Sequence, residues 1–328
     1  MKLIDRQQRH LNYLRVSITD RCNLQCRYCM PQGIASKLPH KDILTYEEIL
    51  RIIRVGVQLG ISKVRITGGE PLVRRDAVDL LREIASMPGI SDVSLTTNAV
   101  LLANHIQEIK AAGIKRLNVS LDSLRPERFK EITGFDHFHR VWAGIMAAHE
   151  AGFSPIKINA VPLIGYNDDE IADLARLSMT YPFHIRFIEY MPIGASGETK
   201  KIGLTTEETQ AIIMEKLGPI APVERSANDG PASRFKIKGA KGEVGFISAM
   251  THHFCSTCNR LRLTAAGKLR VCLLSDRHVD LKTSMRAGCS DEELVQIFFQ
   301  AVALKPSHHL LSESAPEAVN SQMSAIGG

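Results

Sequence analysis

No stretch of about 18 consecutive apolar residues occurs in this chain, so nothing in it reads as a membrane-spanning helix. The opening residues, MKLIDRQQRHLNYLRV, are charged and lack the apolar centre of a signal peptide. No block of Lys or Arg marks a nucleic-acid tail or a polybasic anchor; the net charge of +6 comes from 41 Lys plus Arg scattered against 35 Asp plus Glu. No internal repeat is found apart from a strand–helix rhythm. The expectation is a cytoplasmic protein that binds neither membrane nor nucleic acid. In a reducing compartment its seven cysteines, an odd number, are not expected to pair, and their spacing becomes the question.

What is present is ordinary for a globular chain: 44% hydrophobic and 23% charged residues. At 328 residues it can bury a large core without disulfides, and the length suggests about two domains. Apolar, β-branched runs recur as LRVSIT (14–19), KVRIT (63–67), DVSLTT (92–97), RLNVSL (116–121), IKINAV (156–161) and HIRFIEY (184–190). Helical patterns separate most of them. In one, Thr45 and Glu48 make a capping box, Ile49, Ile52, Ile53 and Val57 share a face, and Gly60 stands where a helix stops.

Repeated βα units imply a parallel sheet. The expected class is α/β, an open, partial barrel of six units, with a doubly wound sheet as the alternative. Functional groups should then lie past the C-terminal ends of the strands. After about residue 205 the rhythm changes. TTEETQAIIMEKLG reads as a helix, SANDGPAS (226–233) as a loop or linker, and the polar end from Pro306 finishes in Gly327 and Gly328. The expected division is 1–225 and 226–328.

Cys22, Cys26 and Cys29 form C-x3-C-x2-C directly after the first strand. Thiolates are soft ligands for iron–sulfur clusters or zinc. A cubane usually takes four cysteines, so three leave one iron open to a small molecule. A zinc knuckle or three buried structural thiols are the bland alternatives. Cys255, Cys258 and Cys272 form C-x2-C-x13-C around a hairpin: RLRLT, a turn at AAGK, and KLRVCL returning. Spacing alone leaves zinc and a cluster equally open there, since His252 or His253 could complete a zinc site. Arg260 and Arg262 lie two apart on one strand face, with Leu261 and Leu263 on the other. A guanidinium suits phosphate or a purine edge. Cys289 fits neither triad.

The first triad, with GGEP (68–71) after the second strand, resembles the radical S-adenosylmethionine (SAM) superfamily. Adding NVSLDS, IEYMP, CSTCNRLRLT…LRVCL and the MSAIGG end, nearly the whole chain resembles the GTP 3′,8-cyclase family of molybdenum cofactor biosynthesis. The resemblance implies a partial (β/α)6 TIM-like barrel with a C-terminal extension. It implies two [4Fe-4S] clusters, on Cys22, Cys26 and Cys29 and on Cys255, Cys258 and Cys272. Tyr28, Gly69, Ser120 and Met191 would meet SAM. Arg15, Lys63, Arg65, Thr96, Lys157, Arg186, Arg260 and Arg262 would hold GTP. Arg15, Arg260, Arg262, Gly327 and Gly328 would serve catalysis, the tail entering the active site. An electron donor, a downstream cyclic pyranopterin monophosphate synthase and a homodimer are implied as partners. Two rivals stand beside it: a two-cluster radical SAM enzyme acting on a peptide, and a non-catalytic zinc protein.

Overall fold

Thr45 caps the first long helix as its sequence predicts. Its side chain accepts from the Glu48 backbone, while the Glu48 carboxylate accepts from the Thr45 N–H at 2.7 Å. The helix that follows, α1 (Tyr46–Gln58), buries Ile49, Ile52, Ile53 and Val55, and Val57 packs half-buried beside them. Gly60, at φ +94°, turns the chain away. The same device starts α7 (Thr206–Leu217) at Thr205 and Glu208.

The computed structural model describes residues 2–30, 37–194, 202–224, 230–309, 311–312, 315–316, 319 and 321–327. The six predicted strands form as β1 (Tyr13–Ser17), β2 (Lys63–Thr67), β3 (Asp92–Thr97), β4 (Arg116–Ser120), β5 (Ile156–Ala160) and β6 (His184–Ile188). Between them run α1, α2 (Ala77–Ser86), α3 (Leu102–Ala111), the pair α4 (Pro126–Thr133) and α5 (Phe138–Glu150), and α6 (Ile171–Thr180). Beyond α7 come β7 (Ile220–Pro222), β8 (Ser233–Ile237), β9 (Glu243–Ile247), β10 (Arg260–Leu263), β11 (Lys268–Arg270), β12 (His278–Asp280), α8 (Leu281–Arg286), α9 (Asp291–Ala303) and α10 (Met323–Ile326).

Among the described residues these twelve strands make one open sheet, ordered β12-β11-β10-β1-β2-β3-β4-β5-β6-β9-β8-β7. From β10 through β6 to β9 every pairing is parallel. The partial barrel is therefore observed, but the six expected strands do not stand alone. The later chain lays β10 beside β1 and β9 beside β6, covering edges that would otherwise expose unpaired N–H and C=O groups. The expected division at 225/226 falls on residues 225–229, outside the described residues.

Four strand ends come earlier than the apolar pattern suggests, β4 and β5 by one residue each, at Ser120 and Ala160. β1 stops at Ser17 and β6 at Ile188, because Thr19, Asp20, Glu189 and Tyr190 leave the sheet to build loops at its C-terminal edge. Along each strand the side chains divide by face. Leu14, Val16, Val64, Ile66, Leu95, Leu117, Val119, Ile158 and Ile185 are buried in the main apolar core. Tyr13, Arg15, Lys63, Arg65, Thr96, Asn118, Lys157 and Arg186 line a cavity on the other face. An apolar face built for helix packing thus leaves the interior free to be polar.

Candidate active site

The interior cavity has a volume of about 550 Å³. All six triad cysteines line it, as do Tyr28, Gly69, Ser120, Met191, Arg15, Lys63, Arg65, Thr96, Lys157, Arg186, Arg260 and Arg262. Residues that are far apart in sequence, and that spacing alone could not join, thus share one chamber.

The first triad sits in the loop after β1. The loop is hung on the end of α4, with Gln25 N–H donating to Thr133 O at 2.8 Å and Arg27 N–H to Ile132 O at 3.0 Å. Cys29 N–H and Met30 N–H both donate to Cys26 O, a tight turn that keeps the last two thiols together. Gly69 N–H donates to Thr19 O at 2.7 Å and Glu70 N–H to Arg21 O at 2.8 Å, so GGEP clasps the start of the cysteine loop. A Cβ on Gly68 would lie 2.8 Å from Thr19 O, and one on Gly69 would strike the Arg21 carbonyl, which is why both positions are glycine.

The thiols fit a cationic iron centre. Burial pushes Cys22, Cys26 and Cys29 up, and the neighbouring acidic groups add to it. Only a bound cation would make three such thiolates favourable together. Sulfur-directed donors are already in place on Cys22, from Leu24 N–H at 3.4 Å and Asn98 Nδ2 at 3.7 Å. Among the described residues no three Cys, His, Asp or Glu side chains converge on a single metal-ion position; a cubane asks for none, since each thiolate takes its own iron.

The second triad does not obey the rule that functional groups lie past the strands' C-terminal ends. β10 runs parallel to β1, with Tyr13 opposite Arg260 and Arg15 opposite Arg262. Cys255 and Cys258 precede β10 and so sit where β1 begins. Tyr13 N–H bonds Asn259 O, and the Asn259 amide donates to Asn12 Oδ1 at 2.7 Å. The predicted hairpin forms, β10 against β11 with Arg262 opposite Arg270, and returns Cys272 to the same edge. The triads therefore occupy opposite edges of the parallel strands. His252 bonds Glu207 on an exposed face, while His253 stacks edge-on to His309 with ring centroids 4.0 Å apart.

Cys258 is drawn down where Cys255 is pushed up by burial. Burial opposes the Cys258 thiolate, but Arg260, by charge and by hydrogen bonds, and Lys305 bring it down to about 6. The Arg260 guanidinium also lies 4.8 Å over the Phe254 ring. Leu261 and Leu263 are fully buried on the opposite face, as alternation predicts.

From Arg262 a row of cations crosses the sheet in register, Arg262 to Arg15 to Arg65. Burial, then Arg262, Arg65 and Arg260, lower Arg15 well below the usual guanidinium range. Arg262 is brought to about 9 by burial and Arg260. Lys157 is brought to about 7 by burial and then Arg186, Arg116 and Arg65. So many buried cations repel one another, and a polyanion would relieve the repulsion. Beside Lys157, Thr96 Oγ1 and Asn118 Oδ1 are buried with no hydrogen-bond partner.

The tail runs into the same interior. Met323 and Ser324 line the cavity, and Ile326 packs with Ile193, Leu274 and Val319. Arg262 Nη1 donates to Gly327 O at 2.8 Å. Gly328 lies outside the described residues.

Several groups escaped sequence reasoning. Glu70 is fully buried and accepts from Leu72 N–H, Asn98 N–H and the Thr97 hydroxyl; burial outweighs these donors and lifts it to about 7. Asp122 accepts from the Tyr28 hydroxyl at 2.7 Å and from Val161 N–H at 2.9 Å, and burial lifts it to about 6. Glu189 is opposed by burial, but donors from Thr251, Met250 and Thr206 hold it below the usual carboxylate range. All three sit within or beside motifs quoted above, GGEP, NVSLDS and IEYMP. A carboxylate inside an otherwise apolar or glycine-rich motif was the available signal.

Comparison with known proteins places these features in a family. Residues 16–178 match the model of the radical SAM superfamily, and residues 183–311 match that of Molybdenum Cofactor Synthesis C. The GTP 3′,8-cyclase of Moorella thermoacetica is 48% identical over 326 residues, covering 99% of this chain and 99% of that protein. The protein of the same name from Pelotomaculum thermopropionicum is 46% identical over 325 residues, again covering 99% of each. Among solved structures, SuiB of Streptococcus suis in complex with its precursor peptide SuiA aligns with a TM-score of 0.60 over 91% of this chain and 74% of that one. At 15% identity, that likeness is one of fold alone.

Proposed function

The chain belongs to the GTP 3′,8-cyclase family of radical SAM enzymes, and on that premise we propose how its cavity carries out the cyclisation of GTP in molybdenum cofactor biosynthesis. It is a lyase that uses SAM and two [4Fe-4S] clusters. Both rivals, a peptide-modifying enzyme and a zinc protein, give way to identity over nearly the full length. When bound, the first cluster and SAM would supply a 5′-deoxyadenosyl radical to take the C3′ hydrogen of GTP; closure of C3′ on C8 leaves an unpaired electron on the base, and one electron from an external donor and one proton complete 3′,8-cyclo-7,8-dihydro-GTP.

Cys22, Cys26 and Cys29 would hold the first cluster and Cys255, Cys258 and Cys272 the second. Tyr28, Gly69, Ser120 and Met191 would meet SAM at the C-terminal edge. Asp122 fixes the Tyr28 ring by its hydroxyl. Lys63, Arg65, Thr96, Lys157 and Arg186 would grip the triphosphate and ribose, and Arg15, Arg260 and Arg262 the guanine end beside the second cluster. Guanidiniums cannot lose their proton to a substrate at neutral pH, so they bind and orient. Gly327 and Gly328 would press the tail against the reacting ribose and exclude water and stray C–H groups from a reactive radical. An external electron donor would feed the first cluster, cyclic pyranopterin monophosphate synthase would take the product, and the chain would work as a homodimer in the cytoplasm. Among the described residues no helix is long and apolar enough to cross a membrane.

The observation that carries this reading is that both triads and the cation row open on one cavity. Anaerobic incubation with GTP, SAM and dithionite, read by mass spectrometry, tests it. The expected products are 5′-deoxyadenosine and a cyclised nucleotide of unchanged triphosphate. SAM cleavage with GTP left intact would overturn it.

A further inference from the structure

The hairpin that bears the second triad is tied down by a lysine that follows α9. Lys305 is buried. Its Nζ donates to Arg260 O at 2.9 Å and Val271 O at 2.7 Å, and lies 3.6 Å from Cys258 Sγ. An ammonium has three N–H groups, so its whole donor set is spent on the two arms that carry Cys258 and Cys272. Arg9 fixes the same segment from the other side. Its Nη1 donates to Cys255 O at 2.6 Å, its Nη2 to Pro306 O at 2.6 Å, and its Nε pairs with the buried Asp5 at 2.6 Å.

A buried ammonium is costly unless a negative group compensates it. For Lys305 the groups that favour its charge are the sulfurs of Cys258 and Cys272, while Arg9 and Arg260 oppose it. A lysine that serves packing alone has no reason to aim at sulfur. We propose that Lys305 is a positioning residue that sets the reduction potential of the second cluster, by donating a charged hydrogen bond to the Cys258 thiolate. The inference rests on the assignment of that triad to a cluster. Hydrogen bonds and positive charge at a ligating sulfur stabilise the reduced, more negative form and so raise the potential.

The test uses the full chain with Cys22, Cys26 and Cys29 all changed to Ala, which isolates the second cluster, in three forms: Lys305, Lys305→Gln and Lys305→Arg. Each is reconstituted anaerobically, iron is counted, and the potential is read by redox titration followed by electron paramagnetic resonance. Lys305→Gln should titrate at a more negative potential and Lys305→Arg should return most of the difference; loss of iron from Lys305→Gln but not from Lys305→Arg also supports the charge role. An intact cluster with one potential in all three forms overturns the inference, as does loss of iron from both variants. Absence of iron from the form that keeps Lys305 overturns the cluster assignment itself, and the inference with it.

Discussion

Arg262, on β10, donates to the carbonyl of Gly327, 65 residues later, at 2.8 Å inside the sheet. Gly327 has φ +71°, and a Cβ there would lie 2.9 Å from Ser17 Cβ and 3.0 Å from Thr67 Cγ2. Left-handed backbone costs a residue with a Cβ about 1–2 kcal/mol, and the two close approaches add to that. Gly327→Ala should therefore slow product formation by at least about tenfold, a factor worth about 1.4 kcal/mol. SAM cleavage should continue. The ratio of 5′-deoxyadenosine to cyclised nucleotide measures it; a ratio equal to that of the unaltered enzyme would make the tail a passive end.

The triads should separate by function. Cys22→Ala should abolish SAM cleavage. Cys255→Ala should lower the iron content by roughly half, since each cluster holds about four irons, and should spare SAM cleavage while ending cyclisation. Iron analysis with product assay distinguishes them, and a Cys22→Ala enzyme that still cleaves SAM would refute the first assignment.

Lys157 offers a pH signature. Burial and the neighbouring Arg186, Arg116 and Arg65 bring its ammonium to about 7. A bound triphosphate would favour the charged form and raise that value. GTP binding should thus take up a proton above pH 7 and none well below it, and affinity should weaken as pH rises through that point. Calorimetry in buffers of different ionisation heat reads the uptake. Lys157→Arg should abolish it, because a guanidinium stays charged.

Glu70→Ala would strand three donors: the Thr97 hydroxyl and the N–H groups of Leu72 and Asn98. Each buried donor left unmet costs about 1–3 kcal/mol, so the loss should be on the order of 3 kcal/mol or more. Denaturant unfolding of the chain without clusters measures it. The clasp between GGEP and the cysteine loop should loosen too, weakening SAM binding.

Much of this architecture can be read from the chain. β-branched runs mark β1 to β6 because one face of each must pack on helices, and that need imposes alternation. The Thr45–Glu48 cap and the β10–β11 hairpin are legible because their chemistry is local. The edge partners of the sheet are not. Nothing in GEVGFIS or RLRL says which strand each will join. The same limit hid Lys305, whose contacts with Arg260, Val271 and Cys258 are all long-range, and the Thr97 and Asn98 partners of Glu70. The cavity residues Arg15, Arg65 and Arg262 could be proposed singly, but their alignment in one row follows from register, which only the assembled sheet supplies.

Setting the two triads on opposite edges of the parallel strands gives the interior the character of a gauge. A molecule anchored at the β10 edge meets one anchored past β1 only if it is long enough to bridge the width between them. Because both triads and the cation row open on one chamber, a substrate held at the β10 end is presented to the first triad along the length of the strands.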